Sequence, residues 1–163
     1  MPENAHLSTE RDGMATVELR FSALPEHVRT ARLVAAAVAR RAGVDESVLD
    51  EVRLAVGEAC TRAVGLHMSK GVGSPVRVAL IEDEKKFSIE VGDDAPGSGG
   101  ALVPGARDEI PGPATEEDEA EGDMGLAVIS GLVDDVEITA DDTGGTIRMS
   151  WPATAAPPAP AVP

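Results

Sequence analysis

Residues Glu51–Val64, EVRLAVGEACTRAV, carry the most regular pattern in the chain. Val52, Ala55, Val56, Ala59, Cys60, Ala63 and Val64 recur at intervals of three and four, which at about 100° per residue places them on one stripe of a helix. The stripe is core, and a second layer must cover it. Glu58 and Arg62 stand four apart on its flank, one above the other, beside the core and within reach of a cleft. On pattern alone they form an i,i+4 ion pair in the favourable order, contributing roughly 0.2–0.5 kcal/mol to the helix.

Outward from that helix, the flanking residues give its ends. Asp45 suits an N-cap and the helix runs to about Leu66, with His67 read as an exposed residue favoured by the dipole at the helix terminus. Before it, Pro25 suits the first turn of a helix reaching Ala42, and Gly43 suits its C-cap. Ala15–Phe21 alternates, with Val17, Leu19 and Phe21 on one side, as a half-buried strand does. Residues 1–14 have no hydrophobic period and read as a flexible N-terminal arm.

Downstream, Val76–Ile81 and the run through Phe87, Ile89 and Val91 predict a hairpin closed by a polar turn at Glu82–Lys86. The segment 92–123 is too long for an ordinary connection and reads as an acidic lid or insert. A short helix at Met124–Val133 follows, then strands at Val136–Thr139 and Thr146–Trp151 around a turn at Asp141–Gly145. The stretch 153–163 is Pro- and Ala-rich, without hydrophobic bulk, and reads as a disordered tail. This order predicts one domain over 15–152, an α+β two-layer sandwich with a mixed, mainly antiparallel sheet and helices on one face.

Composition narrows the partners. A net charge of −15 argues against nucleic acid and anionic membranes, both of which need a basic surface, and points to a basic protein patch. The single cysteine permits no internal disulfide and fits a reducing cytoplasm. Cys60, on the stripe, reads as a small core residue. No run of about 20 apolar residues is present to span a membrane, and the polar N-terminus does not read as a signal peptide. A bacterial source fits the richness in Ala, Val, Arg and Gly.

The words of the helix carry more than its period. RLAVGEACTRAV resembles the LAVSEACTNAV helix of bacterial anti-sigma-factor serine kinases, members of the GHKL, or histidine-kinase-like, ATPase superfamily. In that family the Glu, here Glu58, is proposed to activate the attacking group, and an Asn four residues on ligates magnesium. Arg62 stands at the Asn position. A guanidinium has donors only and a permanent positive charge, so Arg62 cannot be a magnesium ligand. It can meet phosphates directly, or hold Glu58 in an ion pair.

Three further stretches resemble the family's nucleotide motifs in order. Val91–Gly97, VGDDAPG, matches D-x-G-x-G: Asp93 falls on the Asp that bonds the adenine amino group, Gly97 on the second Gly, and Ala95 replaces the first. Read by itself, the stretch is an acidic turn after a strand. Gly122–Leu126, GDMGL, resembles the phosphate-cradling motif through Gly122 and Gly125. Asp123, an N-cap there, would oppose a phosphate charge about 5 Å away by around 3 kcal/mol at an effective dielectric of about 20. Gly144–Thr146 resembles the final G-T motif, with Thr146 near the nucleotide, and alone is a hairpin turn. Within 93–123 Arg107 is the one basic residue, and the segment holds −9 of the chain's −15.

The resemblance covers roughly Thr16–Pro152. It implies ATP between helix layer and lid, and a regulator of transcription that works by partner switching: a cytoplasmic homodimer that binds a STAS-domain anti-anti-sigma protein and a sigma factor. Two readings of its chemistry stand side by side. One is a working serine kinase using ATP and Mg²⁺, with Glu58 as base and Arg62 as phosphate clamp. The other is a binding protein of pseudokinase type, whose departures at Arg62, Ala95 and Asp123 leave the ATP and magnesium site impaired. An acidic adaptor unrelated to kinases is a third, and it would need the helix and the three glycine motifs to match in order by chance.

Overall fold

The computed structural model describes residues 5–11, 14–96, 126–133 and 135–153. In chain order these form β1 (Ala5–Arg11), β2 (Met14–Phe21), α1 (Glu26–Ala42), a 3-10 turn (Glu46–Val48), α2 (Leu49–Lys70), β3 (Val76–Glu82) and β4 (Lys86–Asp93). Then come α3 (126–132), β5 (Asp135–Asp141) and β6 (Gly144–Pro152). The strands make one sheet in the order β1-β2-β3-β4-β6-β5, and every neighbouring pair is antiparallel. The predicted α+β two-layer sandwich is the fold observed.

Alternation along each strand delivers one apolar face. The register lines up Leu19, Val78, Val91, Ile147 and Ile138 in one row across the sheet, and Val17, Leu80, Ile89, Met149 and Val136 in the next. Phe87 pairs with Trp151 beyond them, with their rings stacked at 6.4 Å. Against these rows pack Val52, Ala55, Val56, Ala59, Cys60, Ala63 and Val64 of α2, all buried, so the stripe read from the sequence is the core. Val28, Ala31, Ala35, Val38 and Ala39 of α1 and Ile129 and Val133 of the α3 region complete it. The opposite face of the sheet carries charge, including the Arg148–Glu90 pair at 3.3 Å, and no helix among the described residues.

Several boundaries differ from the sequence reading. Ala5–Arg11, expected in a loose arm, pairs with β2 as an edge strand, because backbone hydrogen bonding needs no hydrophobic period. Asp45 caps the 3-10 turn through Ser47 N–H at 3.0 Å, and α2 follows it. α2 continues one turn past Leu66, to Lys70, and stops where Gly71 takes the left-handed conformation (φ 65°) that an L side chain resists. Gly92 and Asp93, expected in the insert, finish β4. The rest of that insert from Gly97 to Asp123, with Arg107, and the tail from Thr154 lie outside the described residues. Among the described residues no helix is long and apolar enough to cross a membrane.

Burial leaves a chemical signature at Cys60. Its side chain is fully enclosed, and burial pushes the thiol up to about 12. A thiol so held carries almost no thiolate at neutral pH. The native protein is expected to give no reaction with Ellman's reagent at pH 8 and one thiol per chain after unfolding in guanidinium; rapid reaction of the native protein would contradict the packing of α2.

Candidate functional site

α2 lies over β4, and the end of α2 meets the end of β4 through the bond between His67 and the Asp94 N–H. Glu58 is half-buried on the flank of α2, while Arg62, one turn on, is buried to 9% exposure. A guanidinium at that depth is held by the fold, and it offers donors where the family motif has an oxygen acceptor. Gly57, beside Glu58, gives up its side-chain volume to Arg32 of α1, whose Cδ lies 2.8 Å from where a Cβ would stand.

β4 delivers Asp93 at its last position, 5% exposed. Asp93 Oδ1 accepts the N–H of Ala95 at 3.0 Å, a turn that Asp forms readily with the backbone two residues on. The bond fixes Oδ1 of the carboxylate, and Oδ2 is its second acceptor. Ala95 is itself fully buried, so its methyl is part of the packing under this turn.

The next residue, Asp94, is tied on three sides. Its carboxylate accepts from Arg77 Nη2 and from Ser74 Oγ, both at 2.8 Å, and its N–H donates to His67 Nε2 at 2.9 Å. Because Nε2 accepts, the imidazole proton sits on Nδ1, which donates to the Ser74 carbonyl at 2.9 Å. His67 is therefore not the exposed terminal residue expected from the sequence: it is fully buried, and it joins the end of α2, the loop after it and the end of β4. Local sequence gives no sign of this, since both partners of the ring are backbone groups, one in the loop just after the helix and one beyond β4. Ser74, Arg77 and Asp94 were missed with it; adjacency to Asp93 was the one signal available for Asp94.

The β5–β6 hairpin closes the site from the other side. Asp93 pairs with Gly145, and Gly92 with Thr146. A Cβ on Gly144 would overlap the carbonyl oxygen of Asp93, so the strand end can approach only as glycine. The turn is held by Asp141, which accepts from the Thr143 hydroxyl, the Thr143 N–H and the Gly144 N–H. Those bonds, the Thr143 hydroxyl first, hold its carboxyl below the usual range.

A polar cavity of about 290 Å³ opens here, lined by Arg77, Asp93, Asp94, Asp141, Thr143 and Thr146 among others. Of the residues the sequence nominated, it brings together Asp93 and Thr146. Glu58, Arg62 and Ala95 do not line it, and Gly97, Gly122, Asp123 and Gly125 lie outside the described residues. Chemically the site offers a preset carboxylate oxygen for a donor such as an exocyclic amine, beside threonine hydroxyls and one guanidinium.

Comparison with known proteins gives the family of the chain. The family described as histidine kinase-like ATPase domain matches residues 21–151. The chain is 33% identical over 141 residues to the serine-protein kinase RsbW of Bacillus pumilus, covering 82% of this chain and 83% of that protein. It is 30% identical over 140 residues to RsbW of Listeria monocytogenes, covering 83% and 86%, and 27% identical over 138 residues to that of Bacillus subtilis, covering 82% and 83%. Among solved structures, the RsbU and RsbW domains of a Mycobacterium tuberculosis protein superpose with a TM-score of 0.56 at 19% identity, over 85% of this chain and 33% of that one.

Two outcomes are expected at the hairpin. Gly144→Ala should lower stability by about 2–3 kcal/mol, the upper range for a single substitution, read as a fall of roughly 5–10 °C in Tm; an unchanged Tm would contradict the close approach to Asp93. A carboxyl with a lowered folded-state pKa stabilises above its unfolded value, and the contribution fades as pH falls through the folded value. The carboxyl ¹³C resonance of Asp141 should accordingly titrate below that of a free aspartate, and Thr143→Ala should raise its midpoint.

Proposed function

Because the chain belongs to the histidine kinase-like ATPase domain family and aligns with RsbW serine-protein kinases over most of its length, we propose that it is an anti-sigma-type regulator of transcription acting by partner switching. In this reading it works in the cytoplasm as a homodimer, binding a STAS-domain anti-anti-sigma protein and a sigma factor. Its ATP and magnesium site is impaired, and it regulates by occupancy of its partners. The acidic balance of −15 suits a basic protein surface as one of those partners.

The observation that carries the impaired site is Arg62, 9% exposed in α2 where the family's Asn would offer an oxygen to the metal. The residues present fit part of the family's ligand. Asp93 Oδ2 suits the adenine amino group, and the Arg62 guanidinium suits a phosphate oxygen, but no acceptor stands at the position of the metal ligand. ATP, when bound, supplies a transferable phosphoryl group. What this chain contributes is the orientation of the base by Asp93 and Thr146 and the positive charge of Arg62.

A second reading, an active serine kinase with Glu58 as base and Arg62 as phosphate clamp, is favoured by one feature. Glu58 is half-buried and so remains open to a substrate hydroxyl. Calorimetric titration with ATP separates the two, run with and without Mg²⁺ on the native protein and on Arg62→Asn. The impaired site predicts that Mg²⁺ brings the native protein no gain in affinity and the variant a gain of roughly tenfold or more. Tight Mg²⁺-dependent binding by the native protein would overturn it and favour the kinase.

A further inference from the structure

Among the described residues, His67 is a fully buried polar side chain to which the nucleotide reading gives no role. Both of its ring nitrogens are committed, Nε2 to the Asp94 N–H and Nδ1 to the Ser74 carbonyl, at 2.9 Å each. Neither is left for a metal or for proton transfer. What the ring does is fix a short piece of backbone. Asp94 N–H immediately follows Asp93, and the Ala95 N–H that clamps Asp93 Oδ1 follows next. The direction of the Asp93 carboxylate therefore depends on a peptide unit pinned from α2 by His67.

The rest of the cluster braces the same point. Ser74 offers its carbonyl to His67 and its hydroxyl to Asp94, at 2.8 Å for the latter, and Arg77 of β3 pairs with the other Asp94 oxygen. Arg77 and Asp94 are about two-fifths exposed, so screening by water makes their pair a weak brace. The imidazole, sealed from solvent, has no water to take its place, and leaving its partners unmet carries the larger penalty. His67 is thus the strong member of the cluster.

We propose that His67 is a positioning residue for base recognition: by holding the Asp94 peptide it aims Asp93 Oδ2 at the exocyclic amine of an adenine nucleotide, and so sets the preference for adenine over guanine. This rests on the nucleotide reading of the site. Guanine carries a carbonyl where adenine carries that amine, and a carboxylate meets it with two acceptors and no proton. A correctly aimed Asp93 rejects it; a loosened one loses the distinction.

The test uses His67→Leu, which keeps bulk and removes both bonds, and His67→Gln, whose amide oxygen can accept the Asp94 N–H. Both are assayed at a temperature where circular dichroism shows the native fold. In His67→Leu the amide of Ala95 is expected to exchange with deuterium at least about tenfold faster than in the native protein, with the Ile89 amide of β4 unchanged. ATP affinity is expected to fall about tenfold while GTP affinity changes less than twofold, and His67→Gln should recover most of both losses. An unchanged Ala95 exchange rate, or equal losses for ATP and GTP, would overturn the proposal and leave His67 a packing residue. Should the native protein bind neither nucleotide, the nucleotide reading itself fails, and base selection by His67 falls with it; faster exchange at Ala95 in His67→Leu would then show the hold on the turn separately.

Discussion

The contact of the α2 stripe with the apolar face of β3 and β4 is the interaction on which the remaining structure depends. Six of its seven stripe residues are valine or alanine and the other is cysteine, all buried. Small side chains let the helix lie close on the sheet, and the close approach brings the end of α2 near the end of β4. Aliphatic packing must supply nearly all of this, since the chain has two Phe, one Trp and no Tyr. Each buried methylene is worth about 0.8 kcal/mol, so enlarging or deleting one group on the stripe is felt at both ends of the helix. The position of every site residue on α2 inherits that constraint.

Two kinds of interaction then turn the packed scaffold into a site. One is steric: Gly144 admits β6 against the Asp93 carbonyl, where any side chain would collide. The other is polar and local: Asp93 accepts from Ala95, while Asp94 is held by His67, Ser74 and Arg77. The first fixes where the strand end lies, and the second fixes which way its carboxylate faces. Arg62 enters by a different route, as a buried side chain on the helix flank, and it bears on the proposed function because donors cannot replace an oxygen ligand.

What was legible in the sequence follows from this division. The rows of the sheet and the stripe of α2 were readable because burial on one face imposes a period of two or of three to four on the residues themselves. β1 was not readable, since it is joined to β2 by backbone bonds that any side chain permits. The last turn of α2 was within reach, as Gly71 is a signal for a helix end, but the apolar period fades before it. His67 was beyond reach: its partners are the backbone of Ser74 and Asp94, and nothing about a histidine near a helix end reveals a contact made by tertiary approach. The motif residues were nominated through resemblance, whereas the bond from Ala95 to Asp93 and the burial of Arg62 needed the fold.

The central proposal is that this family member regulates by holding partners, with a nucleotide site that lacks the family's oxygen ligand for the metal. The direct measurement is phosphoryl transfer. The protein would be mixed with a STAS-domain partner from the same genome, γ-labelled ATP and Mg²⁺, and the partner analysed for phosphoserine while complex formation is followed in the same sample. The account predicts a stable complex and no phosphoserine above background. Labelling that approaches one phosphate per partner would contradict it and make this chain a working kinase.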